Sequence, residues 1–508
     1  MFNIKKNKRK NFGPVITILI LTCLVIIASA IFSLLGISSN QTGIINGSLE
    51  TSLSTVNNVL TRDGIKYLIT SVLVNLQSFE PLVALILSLI AISIGEASGL
   101  FKALFTPLKR INSKFLTFLI LLIGIAGSFF GENSYMILLP LTAILYQTIG
   151  KKPLLGIVTA FLGITIGYGV GFVYNNEEIV LSVLTQSAVN IDIDRTFVYS
   201  LTSNAYISVV STLLLAFIGT IIIHSSLDKK IPKSSFFEED EESLVISKKA
   251  FHYSTLAFVL MLILIVYMVT PGLYRSGVLL GDGSTYIEQL LGENSPFQQG
   301  LGFIILGIMM VCGFIYGFVS GNIKNSTEYS VALSKNFEGL GYVFVLLFFT
   351  SQLLGILSWT NLGPVIINGI VSLMNNLSFA GILMIVTFFI AVVLMTILVP
   401  STTTKWGLIA PQMVPLMMRA NIAPSFTQFI FRAADGVGKC ITPFFAYYII
   451  MLAFLEKYNT KENTQITVVG IFKTIFVPAM LFALLWLAII ICWYLLGTPT
   501  GRGILPTL

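Results

Sequence analysis

Charged residues are scarce in this sequence. Of 508 residues only 10% are Asp, Glu, Lys or Arg, whereas 55% are hydrophobic and the mean hydropathy is +0.89. A soluble domain carries roughly 25% charged residues, so this composition excludes a soluble globular protein. The apolar runs are continuous over about 20 residues instead of alternating over about 10, which favours helices over a β-barrel. The sequence therefore predicts an all-α polytopic membrane protein.

The residues and motifs of common catalytic sites are also scarce. Only two histidines occur, His224 and His252, and both flank an acidic loop, which favours interfacial positions. The chain contains no G-x-x-x-x-G-K-[ST], no H-E-x-x-H and no G-x-S-x-G motif. Four cysteines lie in apolar runs without metal-ligand spacing and are expected to be free thiols: Cys23, Cys312, Cys440 and Cys492. We expect a protein that is not an enzyme and that requires no cofactor.

The basic residues indicate a membrane topology signal and not a nucleic-acid partner. The net charge is +7, but Lys and Arg are scattered over loops apart from a cluster within residues 1–13. Such a cluster before the apolar run from Pro14 to Leu35 predicts a cytoplasmic N-terminus and a retained first helix. Residues 28–30 resemble a signal-peptidase site, so cleavage is the alternative. We expect a multi-pass protein of the cell inner (cytoplasmic) membrane.

Composition divides the chain into two apolar blocks joined by a charged linker. We predict the following units: a basic N-terminus at 1–13, a first transmembrane repeat at 14–224, the linker at 225–250, a second repeat at 251–498 and a tail at 499–508.

The two blocks share an order of features. A hairpin tip near 95–99 precedes a broken helix near 131–134, and a tip near 400–405 precedes a broken helix near 435–439. An acid lies at each break, and a proline follows it eight residues later. This order predicts inverted repeats whose interrupted helices meet near the middle of the bilayer. An ordinary bundle with glycine kinks is the alternative.

Residues 399–443 combine charge, proline, glycine and hydroxyl groups inside apolar surroundings. A charged side chain at membrane depth costs a few kcal/mol unless it meets another charge, water or a substrate. Arg432 could bind a carboxylate in bidentate fashion or pair with Asp435 three residues later. Asp435 could bind a cation or a proton. This stretch therefore predicts a polar site inside the membrane.

Other residues near this stretch have two alternative roles each. Trp406 could stack on an aromatic substrate or pack in the helix bundle, and Lys405 could bind substrate or extend to the membrane surface. Lys439 could act as a tethered cation in place of a coupling ion, or it could neutralise Asp435. Glu132 and Glu178 could relay protons or occupy helix ends.

The same residues resemble those of the p-aminobenzoyl-glutamate (AbgT) transporter family. The match is densest from Ser401 to Pro443 and extends to four further segments: 95–100, 135–140, 152–156 and 360–363. The resemblance implies a homodimer whose protomers have about nine transmembrane helices and two re-entrant hairpins. It also implies proton- or sodium-coupled transport of p-aminobenzoyl-glutamate, with sulfonamide efflux in some members.

The resemblance implies functional roles for Thr403, Trp406, Pro424, Arg432, Asp435 and Pro443, and for an acidic position at Glu178. The hairpin tips, the helix breaks and the departures from the family pattern add further candidates. The substrate-binding candidates are Ser401, Thr403, Trp406, Pro424, Arg432 and Pro443. The ion- or proton-coupling candidates are Asp435, Lys439, Glu178, Glu132, Asn133, Glu96 and Thr396, with a sodium ion expected near Thr404 and Asp435.

The sequence departs from the family pattern at several of these positions. Pro400 replaces a small residue, Thr396 replaces Asn, and residues 435–439 read D-G-V-G-K in place of D-S-x-T-N. The changes remove hydroxyl and amide groups that could bind an ion or a substrate, and Lys439 adds a fixed positive charge. We therefore expect this chain to differ from other family members in its coupling ion and its substrate.

We predict a secondary active transporter for p-aminobenzoyl-glutamate or a related aromatic carboxylate or sulfonamide. The expected partners are that organic anion, the lipid bilayer and a second copy of the chain. Three alternatives remain: an intramembrane enzyme that uses Asp435 with Glu132 or Glu178, a channel, and a carrier of another organic anion.

Overall fold

A computed structural model describes residues 12–45, 48–168, 170–171, 175–192, 197–231, 244–292, 294–338, 340–377, 379–459 and 466–508. Most of the N-terminal basic cluster and residues 232–243 of the predicted linker lie outside these ranges. Within them, nine helical segments are long and apolar enough to cross a membrane: 14–34, 80–97, 113–130, 201–226, 248–269, 296–320, 341–360, 381–398 and 468–496. The predicted polytopic helical class is confirmed.

Among the described residues, the first half contains ten helices and a two-stranded antiparallel sheet. The strands are β1 (Ser38–Ile45) and β2 (Ser48–Thr55). The helices are α1 (Pro14–Leu34), α2 (Arg62–Thr70), α3 (Val72–Gln77), α4 (Glu80–Ala97), α5 (Leu100–Phe105), α6 (Ser113–Ala126), α7 (Asn133–Thr148), α8 (Pro153–Gly167), α9 (Asn176–Asp192) and α10 (Ala205–Ser226).

The described part of the second half contains eleven helices. They are α11 (Lys248–Val269), α12 (Tyr286–Leu291), α13 (Pro296–Ser320), α14 (Ser326–Ser334), α15 (Gly341–Thr360), α16 (Leu362–Asn375), α17 (Gly381–Leu398), α18 (Thr402–Arg419), α19 (Pro424–Cys440), α20 (Ala446–Lys457) and α21 (Val468–Leu496). Four short 3₁₀ segments complete the described helical structure: 106–110, 127–130, 201–204 and 335–337.

The chain reverses direction between α6 and α7. Gly131 has a φ of +57°, a left-handed conformation that glycine adopts without a steric penalty. Both helices then pack against α8, and glycines bring the backbones close. A Cβ on Gly124 of α6 would lie 3.0 Å from the Ile164 nitrogen, and one on Gly156 would lie 2.8 Å from the Thr142 oxygen of α7. The predicted break near 131–134 is thus the turn of a helical hairpin and not an interruption within one helix.

A second reversal joins α17 to α18. The helix ends at Leu398 because Pro400 disfavours a helical conformation for Val399, whose φ and ψ are −124° and 87°. Ser401 then caps α18 by accepting a hydrogen bond from the Thr404 amide. This turn lies at the predicted tip near 400–405.

Two other predicted boundaries differ from the structure. Residues 435–439 lie inside the continuous helix α19, and the interruption before α20 lies at 441–445, where Pro443 lacks an amide donor. Residues 95–99 contain the end of α4, and Gly99, with a φ of +83°, joins it to α5. The two halves share the order hairpin then interrupted helix, α6 to α9 and α17 to α20. An inverted relation between them remains a prediction.

Candidate functional site

One face of α19 carries the polar residues at the centre of the site. Gln428, Arg432, Asp435 and Lys439 are spaced by four, three and four residues, which places them on the same side of an α-helix. All four side chains are buried. The helix packs against α8, α9, α17 and α18, so this face meets elements of both halves.

Asp435 is the centre of an aspartate cluster that we define as Thr396, Thr402, Lys405, Asp435 and Lys439. Its Oδ1 lies 2.5 Å from the Lys405 Nζ and 3.1 Å from the Thr396 hydroxyl. Its Oδ2 accepts a hydrogen bond from the Thr402 hydroxyl at 2.7 Å and lies 3.3 Å from the Lys439 Nζ. Two ammonium groups and two hydroxyls therefore surround one buried carboxylate.

Arg432 is the centre of an arginine cluster that we define as Glu177, Glu178, Tyr199, Gln428 and Arg432. Its Nη1 contacts the Glu178 carboxylate, and its Nη2 lies 3.3 Å from Glu177 Oε2. Gln428 and the Tyr199 hydroxyl each donate to Glu178 at 2.9 Å. Both glutamates lie in the first turn of α9, where the helix dipole favours negative charge. The cluster thus joins the first half to the second.

A short hydrogen-bonded chain connects α18 to the arginine cluster. The Trp406 Nε1 donates to the Thr185 hydroxyl at 3.0 Å, and Thr185 donates to Gln428 Oε1 at 2.5 Å. The indole ring packs against Phe431 with ring centroids 4.4 Å apart. Trp406 is fully buried by these contacts. It therefore positions polar groups between α9, α18 and α19.

A cavity of about 470 Å³ lies beside the turn between α17 and α18. The side chains of Glu80, Glu132, Ser401, Thr404 and Tyr447 line it, and no Lys or Arg does so among the described lining residues. Ser78, Ser358, Asn361 and a larger number of apolar residues form the remaining wall, so the cavity combines an apolar surface with a small number of polar groups.

Five helices begin at this cavity. The residues that precede their first turns all line it: Phe79 before α4, Glu132 before α7, Asn361 before α16, Ser401 before α18 and Phe445 before α20. The first amides of a helix lack partners within the helix, and its dipole is positive at that end. Four of these helices, α7, α16, α18 and α20, therefore offer backbone donors that suit a carboxylate or another anionic oxygen group. In α4, Pro81 has no amide, and the amides of Glu80 and Leu82 already donate to Ser78 and Phe79.

The comparisons with known proteins identify the family. Residues 6–508 match the ABG_transport model of the AbgT transporter family. The chain belongs to the AbgT transporter family. It is 22% identical over 499 residues to the p-aminobenzoyl-glutamate transport protein of Escherichia coli strain K12, which covers 97% of this chain and 94% of that protein.

Solved structures of AbgT transporters are also similar to this chain. The Alcanivorax borkumensis YdaH transporter has 22% identity and a TM-score of 0.50, with 97% of this chain and 100% of that chain covered. MtrF of Neisseria gonorrhoeae has 24% identity and a TM-score of 0.49, with 98% of each chain covered. The likeness to YdaH indicates that this AbgT family member shares the same overall fold.

The structure brings some of the predicted site residues together. Thr396, Asp435 and Lys439 meet in the aspartate cluster, and Arg432 and Glu178 meet in the arginine cluster. The alternative pairing of Arg432 with Asp435 is wrong, because the guanidinium turns to the glutamates of α9 and the carboxylate turns to two lysines. Lys405 is buried and does not extend to the membrane surface, because Asp435 and the Val399 carbonyl hold its ammonium group.

Other predicted residues lie apart from the two clusters. Ser401, Thr404 and Glu132 line the cavity. The Thr404 hydroxyl contacts Ser401 and not Asp435, so the oxygen atoms of Thr404 and Asp435 do not form one shared sodium site in this structure.

Pro424 begins α19, and Pro443 lies in the interruption that follows it. Asn133 lies against Gly302 of α13, and Glu96 accepts a hydrogen bond from Asn336 at 3.0 Å. Thr403 belongs to neither cluster, whereas its neighbour Thr402 belongs to the aspartate cluster.

Sequence reasoning missed several residues of the site: Glu80, Glu177, Thr185, Tyr199, Thr402, Gln428 and Tyr447. Two of them could have been found. Gln428 lies four residues before Arg432, on the same helical face, and Glu177 is adjacent to Glu178. Thr185, Tyr199 and Tyr447 reach the site through contacts between distant segments, which no local pattern indicates.

Proposed function

We propose that this protein is a secondary active transporter of p-aminobenzoyl-glutamate or a related aromatic carboxylate or sulfonamide in the cytoplasmic membrane. Membership of a transporter family supports the general activity. The curated relative, which is named for p-aminobenzoyl-glutamate transport and aligns over nearly its full length, supports the substrate class.

The observation that carries this proposal is the cavity at which five helices begin. The amide donors of four of them suit the carboxylates of the substrate, and the hydroxyls of Ser401 and Thr404 add further donors. The carboxylates of Glu80 and Glu132 suit its aromatic amine. Phe445 and Tyr447 supply rings against which a benzoyl group packs.

Coupling to an ion gradient requires a site whose charge balance changes during transport. In the aspartate and arginine clusters the buried charges are paired across α9, α18 and α19. Breaking one partner of a buried pair is costly unless a proton, an ion or a substrate group replaces it. We propose that a proton or a sodium ion binds at carboxylates of these clusters and takes the place of a present ion-pair partner. This exchange accompanies the opening of the cavity to the other side of the membrane.

Uptake into proteoliposomes tests the proposal. Purified wild-type protein is supplied with labelled p-aminobenzoyl-glutamate under an inward sodium gradient, an inward proton gradient or neither, beside Asp435→Asn. We expect accumulation under one gradient and its loss in the variant. No accumulation of this compound, nor of a panel of aromatic acids and sulfonamides, by folded protein would contradict the proposal.

Counterflow separates a carrier from a channel or an enzyme. Vesicles preloaded with unlabelled substrate are diluted into a trace of labelled substrate. A carrier accumulates label transiently above equilibrium, and the recovered label is chemically unchanged. A channel gives no overshoot, and an enzyme gives a modified product. We propose that the transporting unit is a homodimer, which cross-linking in native membranes tests.

A further inference from the structure

Lys439 extends from the last turn of α19 into a cage of oxygen atoms and aromatic rings. Its Nζ donates to the Thr402 hydroxyl at 2.6 Å and lies 3.3 Å from Asp435 Oδ2. The same nitrogen lies 4.7 Å from the centre of the Tyr168 ring and 5.4 Å from that of Phe445. Ring faces attract a cation at these distances. The ammonium group is thus surrounded by residues of four different segments.

Neutralising Asp435 does not require this ammonium group. Lys405 already contacts the carboxylate at 2.5 Å, and its side chain is fully buried. One carboxylate and two ammonium groups leave the aspartate cluster with a net charge of +1 (2 − 1). A buried excess charge is costly unless its surroundings stabilise it. The two rings and the Thr402 hydroxyl supply that stabilisation at Lys439, together with the negative charges of Glu132 and Glu177, so the cage holds a cation.

The cage also lies next to the cavity. Phe445, one of its two rings, lines the cavity and immediately precedes α20. Thr402 begins α18, two residues before the cavity-lining Thr404. The cation therefore lies between the α17–α18 turn and the interruption that precedes α20. A free coupling ion at this position would contact both segments.

We propose that the Lys439 ammonium is a tethered monovalent cation. It fills a cage formed by Thr402, Asp435, Tyr168 and Phe445, and it takes the place of a free inorganic cation there. Removing the lysine side chain leaves a cavity with one hydroxyl, one carboxylate oxygen and two ring faces, which takes up a monovalent ion such as sodium. The consequence that this cage needs no free sodium during transport rests on the transport function proposed above, whereas the binding of the cation does not.

Cation binding in the absence of substrate tests the proposal. Wild type, Lys439→Ala and Lys439→Met are compared in detergent by thermal unfolding in sodium chloride or choline chloride at equal ionic strength, and by equilibrium binding of radioactive sodium. Alanine opens the cage, whereas methionine fills it with an uncharged chain of similar length. We expect a saturable, sodium-specific rise in Tm of a few degrees and about one bound ion per chain for Lys439→Ala alone.

Several results would overturn the proposal. One is sodium-specific stabilisation of the wild type that Thr402→Val abolishes, because the cage would then hold a free ion despite Lys439. A second is a folded Lys439→Ala protein that binds no more sodium than wild type. The comparison of wild type with Thr402→Val does not depend on the folding of the Lys439 variants. Because no substrate is present, failure of the uptake experiments leaves these outcomes unaffected.

Discussion

At the scale of single residues, the site is organised by the partners of its buried charges. Lys405 and Lys439 both contact the Asp435 carboxylate of α19, whereas Arg432 contacts carboxylates of α9. Asp435 is held by the turn that begins α18, and Glu178 is held by side chains of α19 and by Tyr199. A residue's role therefore follows from its partner and not from its charge alone.

The adjacent threonines 402 and 403 provide a matched test of the aspartate cluster. Thr402 donates to Asp435 and accepts from Lys439, whereas Thr403 contacts neither. Thr402→Val removes both hydrogen bonds at nearly constant volume. We expect it to reduce the initial uptake rate about tenfold or more, since each bond to a charged group contributes about 1.5–3 kcal/mol. Thr403→Val should retain uptake within about twofold of wild type; equal loss in both variants would contradict this assignment.

The arginine cluster permits a double-mutant cycle. Arg432→Gln leaves Glu177 and Glu178 without their cation and should destabilise the protein by about 3–5 kcal/mol. The double variant with Glu178→Gln should be more stable than Arg432→Gln, because one unpaired charge is removed. Thermal unfolding in detergent measures both, with Arg502→Gln as an exposed control. Additive effects of the two substitutions would show that the pair is not coupled.

At the scale of elements, close helix contacts decide where the charged face of α19 lies. A Cβ on Gly436 would be 2.5 Å from the Thr165 carbonyl oxygen of α8, and one on Gly438 would be 2.5 Å from the Thr396 Cβ of α17. The family resemblance predicts Ser and Thr at these two positions. The close contacts at Gly436 and Gly438 therefore give a packing reason for glycine at these positions. The same change also removes two hydroxyl groups from the site.

Glycine substitutions test this packing. Gly436→Ala should lower stability by about 1–3 kcal/mol, because the new methyl group displaces the backbone of α8. Gly407 of α18 is a matched control, since a Cβ there meets nothing within 4 Å. Gly407→Ala should change stability by less than about 1 kcal/mol. The Tm values of the two purified variants decide the matter, and a Gly436→Ala protein as stable as Gly407→Ala would contradict the prediction.

An ion pair outside the spans connects the start of α8 to the end of α10. The Lys152 Nζ lies 2.9 Å from Asp228 Oδ1, and this hydrogen bond lowers the pKa of Asp228 below its ordinary value of 3.8. The stabilisation is therefore complete above that value and is lost as pH falls through the lower folded pKa. We expect the Tm difference between wild type and Asp228→Asn to shrink between about pH 5 and pH 3. A difference that stays constant over this range would contradict the assignment.

At the scale of the whole molecule, α19 connects the two halves through both clusters, and the cavity lies at one end of this connection. Alternating access requires that the cavity open to one side of the membrane at a time. The exposed Thr404 hydroxyl in the cavity wall is a suitable reporter of that access.

Cysteine labelling measures this access. Cys23 and Cys492 are exposed and are replaced by serine before Thr404→Cys is introduced. Substrate at ten times its Kd should slow maleimide labelling of Thr404→Cys about tenfold, because the ligand occupies the cavity. Ser330→Cys, which is exposed on α14 away from the cavity, should label at an unchanged rate. Equal rates with and without substrate at position 404 would exclude this cavity as the binding site.

The sequence by itself determined the membrane class, the long apolar spans and the polar stretch from 399 to 443. These features depend on composition and local spacing, since an apolar run must cross the bilayer and a charge within it needs a partner. The family followed from the same stretch. The turn at Pro400 was also predictable, because proline restricts its own backbone and that of the preceding residue.

Only the tertiary structure decided which charges pair and where the helices are interrupted. Arg432 lies three residues from Asp435, yet its partners are 254 and 255 residues away along the chain. The break after α19 lies at 441–445 and not at the acidic residue, because Asp435 is stabilised by lysines and does not need a helix end. Such pairing depends on distant backbones approaching at Gly436 and Gly438, and a local pattern contains no information about that approach.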